Sequence, residues 1–176
     1  MKRFVILLSF FIFFSTAGGC ANKHEAPIEA VQAPAQPNAV AVLTVADKER
    51  QQLPPDDRIE LTRVMNWLDR DLIDHMRSNG IETVLLDDIK NYTSAMGPLF
   101  IINVEFFNPG TTPSLPRGRM GIPVSALDLS YKLLDERGAL LTEWQDGEHS
   151  LKGGTYCART LNRRAVDKIT KTLASR

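Results

Sequence analysis

The sequence predicts an α/β (α+β) fold, a mixed sheet of about five strands with two main amphipathic helices packed on one face. Three observations predict it. Residues 57–79 carry apolar side chains at helical spacing on a single stripe, and residues 155–174 do the same. Residues 124–134 alternate apolar and polar with a period of two. Helices with one apolar stripe and strands with one polar face belong on a shared core, with the far face of the sheet open to water.

The elements follow in order. Residues 40–46, Val-Ala-Val-Leu-Thr-Val-Ala, form a compact β-prone run, broken at Leu53-Pro54-Pro55. Asp57 precedes a helix and Glu60 follows it at capping-box spacing. The helical stripe is Leu61, Val64, Met65, Leu68, Leu72 and Met76, and Asn79-Gly80 supplies a left-handed stop. Residues 81–86 and 99–107 read as the second and third strands, with residues 87–92 ambiguous between turn and short helix. In the fourth strand Leu127, Leu129, Tyr131 and Leu133 share one face, and Asp128, Ser130 and Lys132 the other. Asp135-Glu136-Arg137-Gly138 makes a turn, and residues 139–145 return as a hairpin partner. The last helix buries Ala158, Leu161, Ala165, Ile169 and Leu173, with Val166 beside them.

Ahead of this domain the chain changes character. Lys2 and Arg3 precede an apolar run of 11 residues, 4–14, well short of the roughly 20 that a membrane-spanning helix needs. Small residues then lead to a cysteine: Ser15-Thr16-Ala17-Gly18-Gly19-Cys20. A positive start, a short apolar core and small residues mark an export signal. The stretch ending in Gly18, Gly19 and Cys20 resembles the lipobox of bacterial lipoproteins, with Ala17 where leucine is usual. The resemblance implies cleavage before Cys20, a thioether diacylglycerol on its sulfur and acylation of the new amino group. Two or three acyl chains suffice for stable anchoring, at about 0.8 kcal/mol per buried methylene. No other cofactor is expected. Ala21 follows the cysteine where an inner-membrane retention signal would often place aspartate, which points to the periplasmic face of the outer membrane.

Three segments result: a signal peptide over residues 1–19, a lipidated cysteine and tether over 20–39, and one periplasmic α/β domain over 40–176. The tether is rich in alanine and glutamine and holds three prolines without an apolar period. Extended at about 3.1 Å per residue, it reaches roughly 60 Å from the bilayer. The formal charge is zero, and losing Lys2 and Arg3 leaves a small acidic excess. That balance argues against nucleic acid and against a polybasic membrane patch. Cys157 is the only other cysteine, so acylation of Cys20 excludes an intrachain disulfide. At the start of a helix, Cys157 reads as a buried small apolar residue.

The residues offer little catalysis. His24, His75 and His149 are far apart and lack metal-motif spacing. Asp56-Asp57 and Asp87-Asp88 sit at element boundaries, where carboxylates cap and solvate turns. His149, Ser150 and Asp146 are close in sequence, but adjacent strand residues point to opposite faces and no nucleophile elbow surrounds Ser150. Gly153-Gly154 lacks the lysine and hydroxyl residue of a phosphate loop.

Two features stand out. Residues 108–123 hold four prolines, three glycines and two arginines between two strands. A long, stiffened loop of this kind suits protein recognition through Leu115, Arg117, Arg119 and Met120. The last helix carries Arg159, Arg163, Arg164, Lys168, Lys171 and, just beyond, Arg176, which reads as a solvated basic face or a contact for an anionic partner.

From Leu61 onward the landmarks Arg77-Ser78-Asn79-Gly80, Asn108-Pro109-Gly110, Arg117, Arg119, Gly121, residues 133–138 and Gly153-Gly154 resemble an uncharacterised family of small bacterial lipoproteins. The element order is similar to that of the TolB N-terminal and CsgG-like lipoprotein domains. The resemblance implies a fold and a place in the cell envelope, and it carries no active residue. The expected function is a non-enzymatic binding or assembly module, held to the bilayer through Cys20 and contacting another envelope protein or itself. An oligomeric component of a CsgG-like secretion or assembly complex is the alternative, and a lipid-anchored hydrolase a distant third.

Overall fold

The computed structural model describes residues 39–110 and 124–176. Strand β1 (Ala39–Val45) leads through a short helix α1 (Asp47–Gln52) into the long helix α2 (Pro55–Ser78) and then strand β2 (Glu82–Leu86). Two single 3-10 turns, Ile89–Asn91 and Ser94–Met96, precede β3 (Leu99–Asn108). Strands β4 (Ser125–Leu134) and β5 (Leu140–Ser150) form a hairpin, and helix α3 (Gly154–Ala174) closes the chain. The sheet order is β2-β1-β3-β4-β5. β1 runs parallel to both neighbours, and β3, β4 and β5 are successively antiparallel. The fold is the mixed five-stranded α+β sheet that the pattern predicts.

Both long helices pack on one face. Leu61, Val64, Met65, Leu68, Leu72 and Met76 are all buried, as the stripe requires. They meet Val40 and Val42 of β1, Phe100, Ile102 and Val104 of β3, and Leu127, Leu129, Tyr131 and Leu133 of β4. Cys157, Ala158, Leu161, Ala165 and Ile169 of α3 complete the core, and Leu173 packs at its margin. Phe100, Tyr131 and Trp144 stack across three strands, with 5.7 Å between the first two rings and 4.7 Å between the last two.

The C-terminal stop of α2 is as predicted, and its start is not. Gly80 adopts φ +74°. The N–H of Ile81 reaches Met76 O and that of Gly80 reaches Arg77 O, the paired bonds of a Schellman motif. No capping box opens the helix, which begins at Pro55 with no side-chain cap. Proline at the first helical position has its φ preset and lacks the N–H that would need a cap. Asp57 and Glu60 therefore lie inside the helix, where Glu60 pairs with Arg63 instead.

Helix α1 has no counterpart in the sequence pattern, because Asp-Lys-Glu-Arg-Gln-Gln shows no apolar stripe. A single buried carboxylate ties it down. The register of β3 on β4 slips between Val104 and Phe106. The following N–H, that of Phe107, is donated to Glu49 Oε1 at 2.9 Å. A bulged strand leaves backbone groups without ladder partners, and Glu49 satisfies one of them.

The far face of the sheet is only half open. β2 and β3 lie on opposite sides of β1, so the chain between them must cross β1. It crosses on the face away from the helices. Ala41, Leu43, Leu86 and Leu99 are buried there, packed against Tyr92 and Met96 of the connection. Gly97, at φ +81°, fits against β1: a Cβ there would lie 2.1 Å from Ala39 O. The expectation of an open face holds for β3–β5, where Asn103, Ser130 and Gln145 meet solvent.

Strand β5 runs to Ser150, well past the expected residue 145. Asp-Gly-Glu-His-Ser is poor strand material, yet Ala126 pairs with His149 and Ser125 with Ser150. Cross-strand pairing and Arg164 hold this stretch extended. The guanidinium of Arg164 binds Asp146 at 3.1 Å and Glu148 at 2.8 Å.

Candidate functional site

The two poles of the sheet differ in chemistry. At one pole the chain joins β1 at Ala39. At the other, β3 ends, β4 begins, β5 ends and α3 starts. Exposed apolar side chains gather at this second pole. Leu151 is 68% exposed, while Val124 and Tyr156 are each 37% exposed. Val124 and Leu151 flank the terminal pair Ser125–Ser150. Lys152 Nζ lies 4.7 Å from the centroid of the Tyr156 ring.

Glycine sets the packing beneath them. Gly154 opens α3 so close to α2 that a Cβ would lie 2.9 Å from Val64 Cγ2 and 3.3 Å from Phe107 Cε2. Gly153-Gly154 is thus a close helix approach. It leaves Tyr156 on the rim.

The sequence-derived contact residues Leu115, Arg117, Arg119 and Met120 lie outside the described residues, as does Cys20. The two ends of the loop segment are described, and they touch. A Cβ on Gly110 would lie 3.0 Å from Ser125 N and 3.3 Å from Val124 C. The Ser125 hydroxyl donates to Pro109 O at 2.9 Å, and the Gly110 N–H to Asn108 Oδ1 at 2.9 Å. The segment leaves and rejoins the fold at one spot, beside the apolar rim.

A cleft of about 430 Å³ lies past the carboxyl ends of β1 and β2. Open α/β sheets usually keep their ligand crevices at that end of the strands. Thr44, Arg50, Asn66, Asp69, Asp87 and Asp88 contribute its polar lining. Asp69 accepts a 2.7 Å hydrogen bond from Thr44 Oγ1. Burial pushes the Asp69 carboxyl up, and that hydrogen bond offsets part of the rise. Arg50 faces Asp47 at 4.0 Å. The lining is net acidic, so the cleft suits hydrogen-bond donors and cationic groups.

The remaining candidates resolve into structural roles. Asp88 accepts from the Lys90 N–H at 2.8 Å and caps a 3-10 turn, while Asp56 and Asp57 lie in the first turn of α2. His149 faces Asp128 at 4.0 Å on the open side of the sheet. Asp146 reaches Arg164 of α3, on the helix side, and the Ser150 hydroxyl accepts from the Lys152 N–H at 3.0 Å. His149, Ser150 and Asp146 are therefore not assembled as a nucleophilic set. His75 lies 3.6 Å from Asp71 along α2.

The basic residues of α3 are mostly committed within the fold. Arg159 faces Asp71 at 3.8 Å and stacks over Trp67, Lys168 sits over Trp144, and Arg176 pairs with Glu136 at 3.0 Å. Cys157 is fully buried, with Sγ 3.7 Å from Ser125 O, and burial pushes its thiol up. Among the described residues, no group of three or more His, Cys, Asp or Glu is arranged to hold a metal. No helix among them is long and apolar enough to cross a membrane.

No protein-family model matches the chain, and no curated protein matches it. Several solved structures do align with it. A point variant of the PelC dodecamer from Paraburkholderia phytofirmans is 14% identical, with a TM-score of 0.49 over 75% of this chain and 87% of that one. A minor lipoprotein from Acinetobacter baumannii is 12% identical, with a TM-score of 0.42 over 74% and 92%. A lipoprotein from Neisseria meningitidis is 11% identical, with a TM-score of 0.33 over 80% and 100%.

Proposed function

We propose that the protein is a non-enzymatic lipoprotein of the bacterial envelope, anchored by acyl chains on Cys20 to the periplasmic face of the outer membrane. Residues 1–19 are removed, residues 20–39 act as a tether, and the domain binds another envelope protein. The observation that carries this reading is the polarity of the domain. The tether joins β1 at Ala39, whereas Val124, Leu151, Tyr156 and both ends of the 111–123 segment lie at the opposite pole. The ten residues of β3 separate the two poles by roughly 30 Å. A domain so built carries its apolar rim at the end remote from the tether junction, where a partner can reach it without meeting the tether. Leu115, Arg117, Arg119 and Met120 are partner-binding residues in this proposal.

The test is crosslinking in cells with a photoreactive residue at Leu115 or Leu151, and at Leu85 on β2 as a control. Leu85 is 42% exposed, so it too is open to reaction. A specific envelope protein captured from the first two positions and not from Leu85 supports the reading. Equal labelling from all three positions, or none, overturns it.

A further inference from the structure

The two edges of the sheet are unequal. β2 is five residues long, and short edge strands are a common defence against unwanted pairing. β5 is eleven residues long and holds neither proline nor lysine, two further defences. Among the described residues it has a strand neighbour on one side only. Two of its three acidic side chains are matched within the chain. Arg164 grips Asp146 and Glu148, and Lys132 stands opposite Glu143 on β4. Its pairing on β4 is irregular between Leu140 and Thr142 and regular from Thr142 to Ser150, and a long regular edge is a template for another strand.

We propose that the free edge of β5 pairs with β5 of a second copy of this chain, antiparallel, about a two-fold axis at Gln145. Symmetry and charge select that register. An antiparallel pair of identical strands must be centred on one residue, which then faces itself. Centring on Glu143 sets that carboxylate against its own copy, and centring on Asp146 does the same. Centring on Gly147 sets Asp146 against Glu148. Like charges directly opposed across a ladder are destabilising. Centring on Trp144 avoids the clash but pairs only Thr142 to Asp146 of the regular strand. Centring on Gln145 pairs the regular strand from Thr142 to Glu148 and opposes no two acids: Thr142 meets Glu148, Glu143 meets Gly147 and Trp144 meets Asp146. The two Asp146 side chains then lie on a diagonal, each held by its own Arg164. The axis is perpendicular to the sheet, so both helical layers fall on the same side of one continuous sheet.

This surface is separate from the apolar pole and stands independently of it. Single cysteines at Glu143, Gln145 and His149 of the full-length protein, oxidised mildly in isolated membranes, test the register. All three positions are exposed on the open side of the sheet, and Cys157 is buried. In the proposed register Cβ atoms at 145 approach to about 5 Å, near disulfide range. Those at 143 are about 14 Å apart and those at 149 about 27 Å, at ~3.4 Å per residue. Gln145→Cys is expected to give at least tenfold more disulfide-linked dimer than either of the others. Dimer yield that is equal at all three positions, greatest at 143 or 149, or no higher than that of the parent chain at every position overturns the proposal.

Discussion

Thr44 on β1 donates a 2.7 Å hydrogen bond to Asp69 on α2, joining the first strand to the long helix at the mouth of the acidic cleft. Burial raises the carboxyl above its usual range, and the hydroxyl restrains that rise. For an acid with a raised folded pKa, the native state binds more protons than the unfolded chain in the window between the two values. Asp69 therefore favours folding most at acid pH, and the benefit is lost as pH rises through its folded value. Asp69→Asn keeps an acceptor for Thr44 and removes the charge. The variant is expected to match or exceed the parent at pH 7, and to lack its contribution to the pH slope. Asp69→Ala is expected to lose about 1 kcal/mol at neutral pH. Chemical denaturation across pH checks both.

Gly97 and Gly138 both have φ +81°, but their surroundings differ. Nothing lies within 4 Å of a Cβ on Gly138, whereas one on Gly97 would strike Ala39 O. Gly138→Ala is expected to cost about 1–2 kcal/mol from left-handed strain alone. Gly97→Ala must also move the backbone of β1, so its loss is expected to be clearly larger. Urea midpoints of the two variants give the comparison.

Gly154→Val tests the contact between α2 and α3. The new side chain would overlap Val64 and Phe107, and overpacking of this kind costs about 1–3 kcal/mol. Val64→Ala in the same chain is expected to recover part of that loss, a coupling visible in a double-mutant cycle.

Cys157 is expected to resist thiol reagents in the folded protein. It is fully buried, and burial holds the thiol protonated, whereas the thiolate is the reactive form. Labelling measured across a urea series should follow unfolding. Rapid labelling without denaturant would contradict the buried placement.

The legible parts of the fold are those where one local pattern decides the outcome. The stripe from Leu61 to Met76 and the alternation from Leu127 to Leu133 each specify a buried face, and both are buried as read. The left-handed stop at Gly80 is equally local. Misses arise where a distant partner decides. Helix α1 exists through the bond between Glu49 and the Phe107 N–H, 58 residues away. The far end of β5 is held by β4 and by Arg164. The cover over Ala41 and Leu43 follows from strand order, which no single segment encodes. The apolar rim was half visible. Residues 108–123 announce a loop, but the convergence of Val124, Leu151 and Tyr156 beside its ends needs the three-dimensional arrangement. Asp69 carried a signal in its position beside the stripe, four residues from Met65 and three from Leu72.

Lipid anchoring at Cys20 is the premise on which the proposed function rests, so removing that cysteine tests the account most directly. The measurement is membrane fractionation of cells producing the full-length protein and its Cys20→Ser variant. The account predicts that the native protein sediments with the outer membrane, while the variant loses its anchor. Equal retention of the two in the membrane would contradict lipid anchoring at Cys20 and the function built upon it.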